Sequence, residues 1–289
     1  MTRPSLLHAS AVTTALVLIL AAGTHGSPVA DAAESAGQPT DRPAIETEQP
    51  VESGNSADGA FQVTIEIFEL IEGKTQQLQD RHLVIFENGK VYDFALFSPH
   101  DVTVIDPAQS MVTLLSREKH VQSGIAHQDM VAVAARVRQF AKNQDMEDRL
   151  GISAKTKTIV PGEDGDGKTA DYKVSFAGHH YDATTSEPTM AMQPARFAEF
   201  TDWAARVNLV RKLGPPPFAR INLGREIASE GLVPSTIKLR LSSGNQSRTF
   251  LSRYTFKDGL SEAGQNRLDE VAGMIALYQE VSLDRYPKQ

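Results

Sequence analysis

The sequence predicts a β-rich α+β fold, and three observations carry that prediction. The stretch from His82 to Ile125 is a succession of short apolar runs cut by turn residues, the pattern of an antiparallel meander of about five strands. From His127 the apolar residues change to three- and four-residue spacing, the period of an amphipathic helix. The same order, strands and then helix, occurs roughly twice along the chain without a repeat of sequence.

Composition sets the frame for these elements. The chain has 289 residues, of which 40% are apolar and 22% charged, as in a soluble globular protein. A formal net charge of −7 disfavours broad nucleic-acid binding, which needs clustered cations to displace counterions. There is no cysteine, so disulfides, thiolate metal sites and a lipid-bearing N-terminal cysteine are all excluded.

The first thirty residues have the layout of a secretory signal peptide. Arg3 supplies the positive end, Ala11–Ala22 the apolar run, and Ala30-Asp31-Ala32 or Thr24-His25-Gly26 a cleavage site. Twelve residues at 1.5 Å each reach about 18 Å of a roughly 30 Å hydrocarbon core, too short for a membrane anchor. Residues 1–32 are therefore expected to be a cleaved signal, the mature protein to be periplasmic or extracellular, and no integral membrane segment to remain. Residues 33–60 are rich in Ala, Ser, Gly, Pro and acids and read as a disordered acidic linker. Residues 61–289 read as a single domain.

Within that domain, Phe61, Val63, Ile65 and Ile67 alternate with polar residues and predict a strand. Asn88-Gly89 between two apolar runs is a hairpin signal, because a type I′ turn needs positive φ at both central residues. Val102–Ile105 and Met111–Leu115 flank another turn. Met130, Val131, Ala134, Val137 and Phe140 or Ala141 form one helical stripe; Phe197, Phe200, Trp203 or Ala204, Val207 and Val210 form a second, which Gly214-Pro215-Pro216-Pro217 ends. A short helix spans Phe218–Ser229 with Gly231 just beyond it. Two strands follow, around Ile237–Leu241 and Thr249–Lys257. Ser261 caps a last helix expected to reach Val281, with Leu268, Val271, Ile275 and Leu277 inward.

No catalytic, metal or cofactor signature stands out. Asp164-Gly165-Asp166-Gly167 lacks the first side-chain ligand and the bidentate acid of a calcium loop. His179 and His180 are adjacent and, in a strand, point to opposite faces. Ser98, His100 and Asp101 are too close in sequence to form a hydrolase relay and read as a turn. Glu66 and Glu69 carry no signal of a paired acid and base. Lys238, Arg240, Arg248, Arg253 and Lys257 form a basic strip that could meet anionic headgroups or simply be a solvated sheet face.

Several meander strands are apolar on both faces. Leu83-Val84-Ile85-Phe86 and Met111-Val112-Thr113-Leu114-Leu115 do not alternate as a one-sided sheet must. Each face needs a cover: a helix, a second apolar layer or a ligand.

Asn88-Gly89-Lys90, the run Val102-Thr103-Val104-Ile105-Asp106-Pro107, and Gln109 with Val112-Thr113-Leu114 resemble the turn, strand and return strand of the LolA/LolB-like superfamily of periplasmic lipoprotein carriers and lipid-binding half-barrels. Ile105 stands where the carriers have an aromatic residue. The resemblance implies a strongly curved, unclosed antiparallel half-barrel with helices packed on or lidding it. It also implies non-enzymatic binding of an acyl chain, lipid or lipidated protein in an apolar concavity lined by Phe86, Phe94, Phe197, Phe200 and Trp203. The alternative is a structural or protein–protein interaction domain whose core fills itself.

Overall fold

The structure, a computed structural model, describes residues 59–71, 75–159, 169–243 and 246–287. The expected signal, nearly all of the expected linker and the Asp164–Gly167 loop lie outside the described residues.

Six strands come first: β1 (Phe61–Ile71), β2 (Thr75–Glu87), β3 (Lys90–Ala95), β4 (Val102–Asp106), β5 (Met111–Ser116) and β6 (Val121–Ala126). Helix α1 (His127–Asn143) follows, then β7 (Lys157–Ile159), β8 (Asp171–Phe176) and β9 (His179–Ser186). Helices α2 (Gln193–Arg211) and α3 (Phe218–Ser229) stand between β9 and β10 (Val233–Ser243). The chain closes with β11 (Gln246–Asp258), α4 (Glu262–Leu277) and the short β12 (Gln279–Glu280).

All these strands join one 12-stranded sheet in the order β12-β6-β5-β4-β3-β2-β1-β11-β10-β9-β8-β7. Two meanders are thus stitched side by side where β1 pairs with β11. Every neighbouring pair is antiparallel except β12 with β6. The two end strands do not meet, so the sheet is not closed into a barrel. The β2–β3 hairpin turns on Asn88 and Gly89 at φ 49° and 73°, the type I′ geometry this dipeptide favours.

Side chains alternate between the two faces of each strand. On one face Phe61, Val63, Val84, Phe86, Ile105 and Leu114 are buried together with Met130 of α1 and Phe197, Phe200, Trp203 and Val207 of α2. That face continues across the second meander, where Tyr172, Tyr181 and Ile237 are buried against Ala219, Leu223 and Ile227 of α3. We call it the Phe61 face. On the opposite, Ile85 face, Ile85, Phe94, Val102, Val104 and Leu115 are buried with Val271 and Met274 of α4. The two-sided apolar strands therefore have a helical cover on each side.

Two elements differ from the sequence reading. Strand β2 begins at Thr75, well before the apolar run, because pairing with β1 extends through Ile71↔Thr75 past a bulge between Ile67 and Phe68. Backbone hydrogen bonding needs no apolar pattern, so the polar Gln76–Asp80 stretch carried no strand signal. Helix α4 stops at Leu277 rather than Val281, and Ile275 and Leu277 are 43% and 85% exposed while Met274 is buried. Val271 and Met274, three residues apart, take the inward stripe, and the chain leaves the helix to lay Gln279–Glu280 beside β6. The expected cap holds: the Gly264 amide donates to Ser261 Oγ at 3.1 Å.

Candidate functional site

The site the sequence points to is the layer between α2 and the Phe61 face. Phe86, Phe197, Phe200 and Trp203 meet there in one buried cluster. The Phe61 and Phe86 rings stack at 4.2 Å, and Phe200 meets Phe86 edge-on at 5.9 Å. Phe197 packs edge-on against Tyr254 at 5.5 Å and Phe256 at 5.2 Å. Trp203 lies 4.6 Å from the His127 ring of α1. Offset and edge-on aromatic contacts of this kind add to simple burial. Phe94 is not part of this layer. It is on the Ile85 face beneath α4, because Leu83 and Phe94 pair directly and share the parity of Ile85.

The layer is filled by the chain's own side chains. A cleft between α2 and α3, lined by Pro194, Phe197, Thr201 and Gly224, holds a volume of about 10 Å³. That is about the space of one water.

Three polar anchors hold α2 in place. At its start Gln193 is fully buried; its side-chain oxygen accepts from the Thr189 amide at 3.0 Å, and its amide donates to Asp258 Oδ1 of β11 at 3.0 Å. In its middle Asp202 accepts from Arg206 and from Arg225 of α3. Burial opposes the Asp202 charge, but the two guanidiniums outweigh it and hold the carboxyl below its ordinary range. At its end Lys212 turns in the left-handed region, and the Arg211 guanidinium lies 5.4 Å from the Tyr286 ring. Tyr286 belongs to the C-terminal tail and is buried in the same aromatic cluster.

Replacing Gln193 with leucine should cost about 1–3 kcal/mol of stability, since the Thr189 amide and Asp258 lose their buried partner. Urea denaturation measures it.

Other sequence candidates fall apart geometrically. Ser98, His100 and Asp101 do not converge: His100 is exposed, while Asp101 is buried and accepts from Tyr286 Oη at 3.4 Å. Burial pushes the Asp101 carboxyl up, against hydrogen bonding from Ser116. Ser98 and His100 instead line an open cleft of about 380 Å³ with Arg117, Glu118 and Arg267. Glu66 and Glu69 point to opposite faces, Glu66 to Arg81 and Glu69 to Arg248 at 2.8 Å. His179 stacks on Phe176 at 4.6 Å, whereas His180 faces Ser175 Oγ at 3.0 Å. Among the described residues no group of three or more His, Asp or Glu side chains is arranged to hold a metal ion.

Sequence reasoning passed over His82. It lies between two acids, Nδ1 at 2.7 Å from Asp93 and Nε2 at 3.2 Å from Asp80. Burial disfavours the imidazolium, yet Asp93 and Asp80 overcome it and push the pKa up to about 10. The only sequence signal was the Asp80-x-His82 spacing, which puts both side chains on one face of a strand. A pKa raised from 6.5 to about 10 stabilises the fold fully below pH 6.5, and that contribution is lost as pH rises towards 10. His82→Gln should therefore be destabilised by about 2 kcal/mol below pH 6.5, the value of a charge-assisted hydrogen bond at a partly exposed site. The gap from the parent, read as thermal midpoints across pH, should narrow steadily towards pH 10.

No protein-family model matches this chain, and no curated protein matches it at a significant level. No helix among the described residues is long and apolar enough to cross a membrane.

Proposed function

We propose that this is an exported, non-enzymatic binding protein that holds an acyl chain or lipidated partner against the Phe61 face, in the place α2 now occupies. The sheet acts as the wall of a half-barrel and α2 as its displaceable lid. One observation supports this best. The broadest apolar surface of the first meander is covered by four apolar side chains of a helix in the connection between β9 and β10. The similarity of the Asn88–Lys90 and Val102–Pro107 segments to lipoprotein carriers points the same way.

The apolar part of the exchange is close to balanced, and the polar anchors at Gln193, Asp202 and Arg211 add to the hold of α2. Burying Phe197, Phe200, Trp203 and Val207 contributes about 6–12 kcal/mol at roughly 1.5–3 kcal/mol each. An acyl chain of about 15 methylenes, at roughly 0.8 kcal/mol apiece, supplies about 12 kcal/mol. The apolar contributions of the two occupants are comparable, so a ligand of at least this length is needed to compete with the helix.

Trp203 is the single tryptophan of the chain and is 8% exposed. Titration with a long-chain fatty acid or lysophospholipid should shift its emission to the red in a saturable way as α2 leaves the sheet. An unchanged spectrum at saturating lipid sinks the reading. A second reading, an interaction domain with a self-filled core, draws on the close aromatic packing of the same layer. It predicts that unchanged spectrum.

A further inference from the structure

The Ile85 face is covered by α4 only over the first meander. Its continuation across β1, β11, β10, β9, β8 and β7 carries, among the described residues, no buried apolar cluster. Register shows what this half presents. Lys157, Lys173, Asp182, Lys238, Leu251 and Phe68 form one cross-strand row. Asp171, Thr184, Thr236, Arg253, Glu66 and Arg81 form the row beside it. Arg240 and Lys257 share the same face through Arg240↔Thr249 and Gln62↔Lys257. Arg248, grouped with these cations in the sequence, is on the opposite face beside Glu69.

Among the described residues, these six strands thus present six cations against three carboxylates on this face, on a chain whose net charge is −7. Lys157, Lys173, Lys238, Arg240, Arg253 and Lys257 are exposed, and none of them forms an ion pair among the described residues. Apolar side chains interleave with them. Phe68, Leu70 and Leu251 are half-buried, Ile159 is 43% exposed, and the Arg253 guanidinium lies 4.8 Å from the Phe68 ring.

We propose that this uncovered half of the sheet is a docking surface for an anionic lipid bilayer. Charge complementarity selects the partner: this face is net positive on a chain that is acidic as a whole. Six neighbouring strands at about 4.8 Å spacing spread the cations over a broad array, which suits a headgroup plane. Lys and Arg reach lipid phosphates while their stems and the interleaved Phe68, Leu251 and Ile159 meet the apolar boundary below. The surface is on the side of the sheet away from α2 and does not require a bound acyl chain.

The test is co-sedimentation of the full chain with two kinds of vesicle, phosphatidylcholine alone and an equimolar mixture of phosphatidylcholine and phosphatidylglycerol. The N-terminal apolar run contributes to every arm alike, so differences between variants report the face. The chain should partition more strongly to the anionic vesicles, and increasingly so as salt falls. Each Lys or Arg near such a surface is worth about 1 kcal/mol, so Lys238→Gln with Arg240→Gln should weaken that partitioning by about thirtyfold. Removing the same charge from exposed positions of α1, Arg136→Gln with Lys142→Gln, should change it by less than about threefold. Equal loss in both double variants, or no preference for anionic vesicles, overturns the proposal. Binding to soluble polyglutamate without any partitioning to the anionic vesicles also overturns it, in favour of an acidic protein partner. Acyl binding, read by Trp203 emission, should be unchanged in both variants, which keeps a failure here distinct from a failure of the acyl-chain reading.

Discussion

Phe86→Ala should lower the unfolding free energy by about 3–5 kcal/mol, the usual cost of removing a buried aromatic ring. Phe86 is 1% exposed, stacks on Phe61 and takes the edge of Phe200, so its loss leaves a void between the sheet and α2. The Arg196 guanidinium also loses the ring 5.8 Å away. Because β2 is a central strand, paired on both sides, the backbone has little freedom to collapse into that void. Urea denaturation at constant pH, with the slope checked for two-state behaviour, gives the number. A loss below about 1 kcal/mol would mean that the aromatic layer is not tightly packed.

Phe200→Ala separates the two functional readings. It should also destabilise, by about 3 kcal/mol, since Phe200 is 5% exposed in the same cluster. If α2 is the displaceable occupant, the truncation weakens the helix's hold on the sheet and removes part of the cost of displacing it. Apparent ligand affinity scales with the fraction of the chain that is binding-competent, so loosening the lid should tighten acyl binding at least tenfold. In a self-filled core the same change only destabilises. Isothermal titration with one fatty acid against parent and variant reads the difference. The contrast with Phe86→Ala is informative, because Phe86 belongs to the wall: its loss should destabilise without that gain in affinity.

The fold was legible where chemistry is local. Asn88-Gly89 gave its hairpin, the stripe from Phe197 to Val207 its buried face, and Ser261 its cap. The apolar character of both sheet faces also announced two covers. Which helix took which face was not legible, because helical periodicity says that a stripe is buried and not against what. Phe94 was grouped with Phe86 for that reason, although strand parity places them on opposite faces. Arg248 and Glu69 escaped in the same way, since a pairing across 179 residues leaves no local trace. The tail residue Tyr286, which no periodic pattern singles out, is part of the aromatic core. His82 was unreadable because its second acid, Asp93, comes from the neighbouring strand.

The central claim is that the Phe61 face exchanges α2 for an acyl chain, and native mass spectrometry of the protein purified from its own host tests it most directly. The account predicts a population carrying one added mass of an acylated molecule, removed on delipidation and restored by adding a fatty acid back. Only the bare protein mass, before and after incubation with excess long-chain lipid, would contradict it.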